Sequence, residues 1–110
     1  MISVVIPAYD EERALPQTLR RLFSQPGDFE VILVDGGSSD ATRRIGLDHP
    51  RVQLLDAPKG RASQMNAGAE KALGEWLLFL HADTLLPQDG LARIFELPEE
   101  VMAGGFRHRF

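Results

Sequence analysis

The sequence predicts an α/β fold, a mostly parallel sheet flanked by helices. Three observations lead there. Short runs of β-branched or bulky apolar residues recur at 2–6, 29–34, 52–55 and 76–80, as in strands buried on both faces of a sheet. Segments with helical spacing of apolar residues lie between them, and such alternation implies right-handed crossovers between parallel strands. Finally, acidic residues follow three of these runs, at Asp10-Glu11-Glu12, Asp35 and Asp83. Parallel strands share one end, so these carboxylates should line a single crevice beyond the sheet.

Residues 2–6 form the first strand, and Pro7, which cannot donate to a ladder, marks its end. The helix that follows buries Leu15, Leu19, Leu22 and Phe23 on one face, with Pro16 acceptable only in its first turn. Pro26-Gly27 ends it. The second strand, 29–34, runs into Asp35-Gly36-Gly37-Ser38-Ser39-Asp40, a tight turn in which Ser39 or Asp40 can cap a helix starting near Ala41. Gly46 weakens that helix, Pro50 stops it, and 52–55 is the third strand. After the loop Ala57-Pro58-Lys59-Gly60 comes a helix with Ala62, Met65, Ala69 and Ala72 on one side, suited to close packing on a sheet. Gly74 ends it, and the fourth strand starts at Trp76. Pro87 then begins a helix carrying Leu91, Ile94 and Phe95 toward the core. Residues 101–110 read as a last strand with a paired-glycine bend. Because a strand stopping on a bare Phe110 leaves an unpaired edge, a C-terminal portion is expected to be missing, and that edge offers a route to homo-oligomers.

At 110 residues one modest core is expected. Hydrophobic residues at 44% and charged residues at 25% match ordinary globular usage and argue against a disordered or membrane chain. No apolar run approaches the ~18 residues of a membrane span, and no basic segment precedes the first one, so a cytoplasmic location is the default and membrane association is not indicated. The absence of cysteine excludes disulfides and thiol catalysis and leaves only oxygen or imidazole ligands for a metal. A net charge of -4 argues against nucleic-acid binding. The dinucleotide fingerprint, the P-loop and an acyl-transfer triad are all missing.

Among the polar groups, Asp35 on its glycine turn could accept hydrogen bonds from a base edge or ribose, or hold its own backbone. The acids at 10–12 read equally as a solvated helix start. A divalent cation, Mg²⁺ or Mn²⁺, is the natural bridge between a carboxylate-lined cleft and a pyrophosphate, and Asp83 is its best candidate ligand, with a simple turn or cap before the Pro87 helix as the other reading of Asp83-Thr84. His81 is read as a nucleotide contact ahead of a metal ligand, and Lys59 and Arg61 as groups for base or phosphates. Asn66 and Gly68 stand between ligand approach and helix packing, with packing favoured.

Four segments together resemble the donor half of an inverting family 2 glycosyltransferase of GT-A fold. They are Val5-Ile6-Pro7-Ala8-Tyr9-Asp10-Glu11-Glu12, Val34-Asp35-Gly36-Gly37-Ser38-Ser39-Asp40-Ala41-Thr42, Gly60 through Asn66-Ala67-Gly68, and Phe79-Leu80-His81-Ala82-Asp83-Thr84. The resemblance implies a Rossmann-like domain over 1–110 that forms the N-terminal, nucleotide-sugar-binding portion, without the acceptor-binding part. It implies that Pro7, Ala8, Glu11 and Asp35 surround base and ribose, to which the reading of the residues adds Arg61 and His81 on the nucleotide. Asp83 takes the last place of the D-x-D metal motif, here written H-A-D. His81 replaces the first Asp of that motif, Gly36 a second Asp and Met65 an Arg. The implied reaction is metal-assisted transfer of a sugar from a nucleotide diphosphate to an acceptor hydroxyl, with the catalytic general base expected beyond Phe110. A non-catalytic nucleotide-binding or interaction module is the alternative.

Overall fold

In the computed structural model, which describes residues 1–84, 90–95 and 106–107, the elements alternate as expected. They are β1 Ile2–Ala8, α1 Leu15–Phe23, β2 Phe29–Asp35, α2 Thr42–Asp48, β3 Val52–Asp56, α3 Arg61–Lys71, β4 Trp76–Phe79, α4 Gly90–Phe95 and β5 Phe106–Arg107. The sheet order is β3-β2-β1-β4-β5. The first four strands are mutually parallel and β5 pairs antiparallel with β4, Leu78 opposite Phe106. The strand order reverses between β1 and β4, and at such a switch point adjacent crossovers leave a crevice.

Pro7 does not end the first strand. Alternate residues of a parallel strand address opposite neighbours: Val5 O accepts the Leu80 N–H on the β4 side, whereas Ala8 O accepts the Gly36 N–H on the β2 side. Pro7 shares the side of Val5, so its missing N–H closes the ladder with β4 at the Val5–Phe79 pair. Pairing with β2 runs on through Ala8 and Asp35.

The core lies on both faces of the sheet. Ile2, Val4 and Ile6 pack with Leu15, Leu19, Leu22 and Leu91 on one face, joined by Ile45 of α2. Val5, Ile32 and Val34 meet Ala67, Ala69 and Ala72 on the other. Each large aliphatic side chain buried in this way contributes about 1.5–3 kcal/mol. Pro16 does fall in the first turn of α1, which leaves the Leu15, Leu19 and Leu22 stripe uninterrupted and buried.

Helix α3 meets the sheet differently from expectation. Its buried positions are Gln64 and Gly68, while Ala62 is exposed and Met65, Ala69 and Ala72 are half-buried. The cause is the closeness of the helix: a Cβ on Gly68 would sit 2.4 Å from Val5 Cγ1, so the glycine itself is the contact point. The same reason explains Gly46, where a Cβ would come within 2.6 Å of Leu33 Cδ2. Gly74 lies beyond the end of α3 and touches the start of β1; its N–H donates to Ser3 Oγ at 2.7 Å. Ser3 Oγ in turn donates to Glu30 Oε2 at 2.5 Å, which closes the amino edge of the sheet.

The fourth strand is shorter than its apolar run, ending at Phe79, with Leu77, Leu78 and Leu80 buried. Leu91 is buried as expected. Pro87, the side chains of Ile94 and Phe95, and most of the segment 101–110 lie outside the described residues. No described helix is long and apolar enough to cross a membrane.

Candidate functional site

The carboxyl ends of β1 and β4 and the loop after β3 open on a crevice of about 270 Å³ lined by Pro7, Ala8, Tyr9, Glu11, Lys59, Gly60, Arg61, Gln64 and His81. It brings together Pro7, Ala8, Glu11, Lys59, Arg61 and His81 of the residues singled out in the sequence. Asp35 and Asp83 are not among its lining.

The floor is set by a clasp between two loops. After β1 the chain turns through Asp10, the one non-glycine among the described residues with positive φ, at 52°; aspartate tolerates that left-handed conformation better than most residues. Asp10 N–H donates to Ser38 Oγ at 2.8 Å and Asp10 Oδ1 accepts the Ser39 N–H at 2.8 Å. Glu11 N–H donates to Thr42 Oγ1 at 2.7 Å. Glu12 and Asp40 complete the exchange: Glu12 N–H donates to Asp40 Oδ2 at 3.2 Å, and Glu12 Oε1 accepts the Ala41 N–H at 2.8 Å. Asp10 and Glu12 are thus occupied with the neighbouring loop, and Glu11 is the acid of this trio that reaches the crevice.

Asp40 rather than Ser39 serves the start of α2, its Oδ1 accepting from both the amide and the hydroxyl of Thr42. Desolvation pushes the Asp40 carboxyl upward, but hydrogen bonds from the Thr42 hydroxyl and amide and the Glu12 amide outweigh it and hold the group below its ordinary value. Beside it, Arg43 grips Asp56 through two 2.9 Å hydrogen bonds. That bidentate bond, then desolvation in the opposite sense and the Arg43 charge, leaves Asp56 lowered as well.

Asp35 is 1% exposed. Its Oδ2 accepts the N–H groups of Gly37 and Ser38, each at 3.0 Å, and its Oδ1 accepts the Ser38 hydroxyl at 2.5 Å. Three of the roughly four lone-pair directions of the carboxylate therefore belong to its own turn.

On the opposite wall Lys59 Nζ lies 4.0 Å from the centroid of the Tyr9 ring, a cation–π contact between two residues of the lining. Arg61, at the first position of α3, donates from Nη2 to His81 Nε2. Arginine is only a donor, so His81 accepts at Nε2 and carries its proton on Nδ1.

His81, Ala82 and Asp83 follow β4 in a turn closed by the Thr84 N–H donating to His81 O at 3.0 Å. Ala82 is buried and its carbonyl accepts from Thr18 Oγ1 of α1 at 2.5 Å, while His81 and Asp83 on either side are exposed. Among the described residues nothing hydrogen-bonds the Asp83 carboxylate, and no three acidic or imidazole groups converge on one point. A single carboxylate of this kind is chemically suited to a hard cation only where other oxygens complete its coordination. Nε2 of His81 is committed to Arg61. Asn66 is exposed and, among the described residues, does not line the crevice.

Two further residues shape the site without having been legible: Thr18, which pins Ala82, and Gln64, whose side-chain amide fastens the ends of β1 and β2. Thr18 sits at a helical position that periodicity marks only as inward-facing, and Gln64 lies off the small-residue face expected to pack on the sheet.

The sequence matches the family Glycosyl transferase family 2 over residues 3–108. A PGL/p-HBAD biosynthesis glycosyltransferase of Mycobacterium bovis (strain BCG / Pasteur 1173P2) is 40% identical over 102 residues, which cover 86% of this chain and 40% of that relative. The structure of S. aureus TarS 1–349 in complex with UDP-GlcNAc is similar with a TM-score of 0.74 and 25% identity, over 86% of this chain and 30% of that one. The mannosyltransferase PcManGT from Pyrobaculum calidifontis, in complex with GDP-Man and Mn²⁺, gives a TM-score of 0.74 and 27% identity over 88% of this chain and 32% of that one. The architecture is thus that of GT-A enzymes, and the chain spans 40% of the length of the curated relative it matches.

Proposed function

Since the chain belongs to glycosyl transferase family 2, we propose that its crevice receives the nucleotide of a sugar-nucleotide donor and that the protein transfers the sugar to an acceptor hydroxyl. The observation that carries this reading is the meeting of Glu11, Lys59, Arg61 and His81 around one opening at the strand ends, with the exposed Asp83 two residues beyond His81. That two similar proteins hold UDP-GlcNAc and GDP-Man supports it.

In this reading Pro7 and Ala8 form the wall beside the base, and Asp35 offers the remaining lone pair of Oδ1 to a base edge or ribose while its three other hydrogen bonds keep the turn in place. Glu11, fixed by its backbone bond to Thr42, accepts from ribose hydroxyls. Lys59 and Arg61 neutralise the diphosphate, and His81 donates from Nδ1 to the ligand. Asp83 would hold a divalent cation, Mg²⁺ or Mn²⁺, which when bound stabilises negative charge on the departing diphosphate. Transfer also requires a carboxylate to take the acceptor proton, and no described residue is assigned to it.

Calorimetry with UDP-GlcNAc and GDP-Man, in Mn²⁺ and in EDTA, tests the reading. At least one donor is expected to bind, more tightly with Mn²⁺, and Asp83→Asn is expected to remove the metal-dependent gain of at least about tenfold while leaving binding in EDTA as it was. If neither donor nor its free nucleotide binds in either condition, the assignment fails.

A further inference from the structure

Gln64 lies in the first turn of α3 with 5% of its surface exposed. Its Nε2 donates to Ala8 O and to Val34 O, both at 2.9 Å, and its Oε1 accepts the Gly60 N–H at 3.1 Å. A primary amide has two N–H donors and one carbonyl, so both donors and the carbonyl are engaged. The three partners belong to three different segments: the end of β1, the end of β2, and the loop that carries Lys59 and leads into Arg61 at the start of α3. Shape adds a further constraint, because a Cβ on Gly36 would stand 2.9 Å from both Cδ and Oε1 of Gln64. Glycine at 36 and glutamine at 64 therefore share one space.

We propose that Gln64 is the positioning residue of the crevice. It sets the separation between the wall formed by Pro7 and Ala8 and the wall formed by Lys59 and Arg61, and so fixes the geometry in which a nucleotide is held. The proposal rests on the nucleotide reading of the site. It follows from what the amide does that a same-shaped replacement should fail. In Gln64→Glu an acceptor oxygen faces two carbonyls inside a buried wall, where an unmade hydrogen bond is most costly. In Gln64→Met the volume stays but all three bonds go.

The test measures UDP and GDP binding by calorimetry for the parent chain, Gln64→Glu and Gln64→Met, with circular dichroism to establish that each is folded at the assay temperature. Hydrogen exchange of the Gly60 amide is followed by NMR. The expected result is a Kd raised at least about tenfold in the folded Gln64→Met variant, together with lost protection of the Gly60 N–H. A side chain that only stabilises the fold would lower the melting temperature and leave Kd unchanged, and that result overturns the proposal. A second measurement uses the shared space: Gly36→Ala should weaken binding in the parent but add less than about twofold in a Gln64→Ala background, since the obstructing side chain is gone. Equal effects in both backgrounds also overturn it. A parent chain that binds neither nucleotide removes the nucleotide reading and this proposal together, whereas a parent that binds beside an equally competent Gln64→Met removes this proposal alone.

Discussion

Thr18 shows how one hydroxyl on a helix can place a motif sixty-four residues away in sequence. Its Oγ1 lies 2.5 Å from Ala82 O and 3.1 Å from Ala14 O, and the residue is 2% exposed. Replacing it by valine keeps the shape and leaves the buried Ala82 carbonyl without that donor, which costs about 1–3 kcal/mol. Urea unfolding of Thr18→Val should show that loss as a lower midpoint at unchanged slope; a midpoint equal to that of the parent would mean the contact carries no stability. Asp35 and Asp83 mark the limit of what was legible at this scale. Both were expected at the crevice from their positions after apolar runs, because strand ends in a parallel sheet gather polar groups, and neither is among its lining. What could not be read was how each carboxylate is occupied: Asp35 is largely consumed by the Gly37-Ser38 turn, and turn geometry depends on backbone angles that residue types alone do not fix.

Elements were legible where periodicity was strong and ambiguous where side chains were small. The buried stripe of α1 follows its leucines directly. In α3 alanines occur all around the helix, so hydrophobic pattern cannot orient it, and the deciding feature is the absence of a side chain at Gly68. Gly68→Ala is therefore expected to push the helix from β1 and β2 and cost about 1–3 kcal/mol by overpacking, despite the better helix propensity of alanine. Gly37→Ala provides the contrast: nothing lies within 4 Å of its would-be Cβ, but φ is +91°, so its cost is backbone strain of about 1 kcal/mol or more. Thermal unfolding of the two variants, with UDP binding measured in parallel, separates these causes. The Gly68 variant should lose stability with α3 displaced and binding weakened, and the Gly37 variant should lose stability with α3 in place. If Gly68→Ala is as stable as the parent, close approach is not what orients α3.

Across the whole molecule the site depends on loops at one edge of the sheet, and those loops are held by ionised carboxylates. Asp40 joins the β1–α1 loop to the start of α2 through Glu12 and Thr42, and Asp56 joins β3 to α2 through Arg43. Both titrate below their ordinary value of 3.8. A carboxyl whose folded pKa is depressed binds its proton more readily when unfolded, so its contribution is fully present above the unfolded value and disappears as pH falls through the folded one. Acid should therefore loosen this edge of the sheet. The Arg43–Asp56 pair is largely exposed, with side-chain exposures of 47% and 58%, so its share is small and screened by salt. The Asp40 share arises from hydrogen bonds and should be less sensitive to ionic strength. Melting temperatures of the parent, Asp40→Asn and Asp56→Asn across the acid range check this. At neutral pH both variants should melt below the parent, the Asp56 deficit shrinking in high salt. Both deficits should close as pH drops below 3.8, and an Asp40→Asn deficit that persists undiminished at the acid end would show that the ionised carboxylate is not what holds the two loops together.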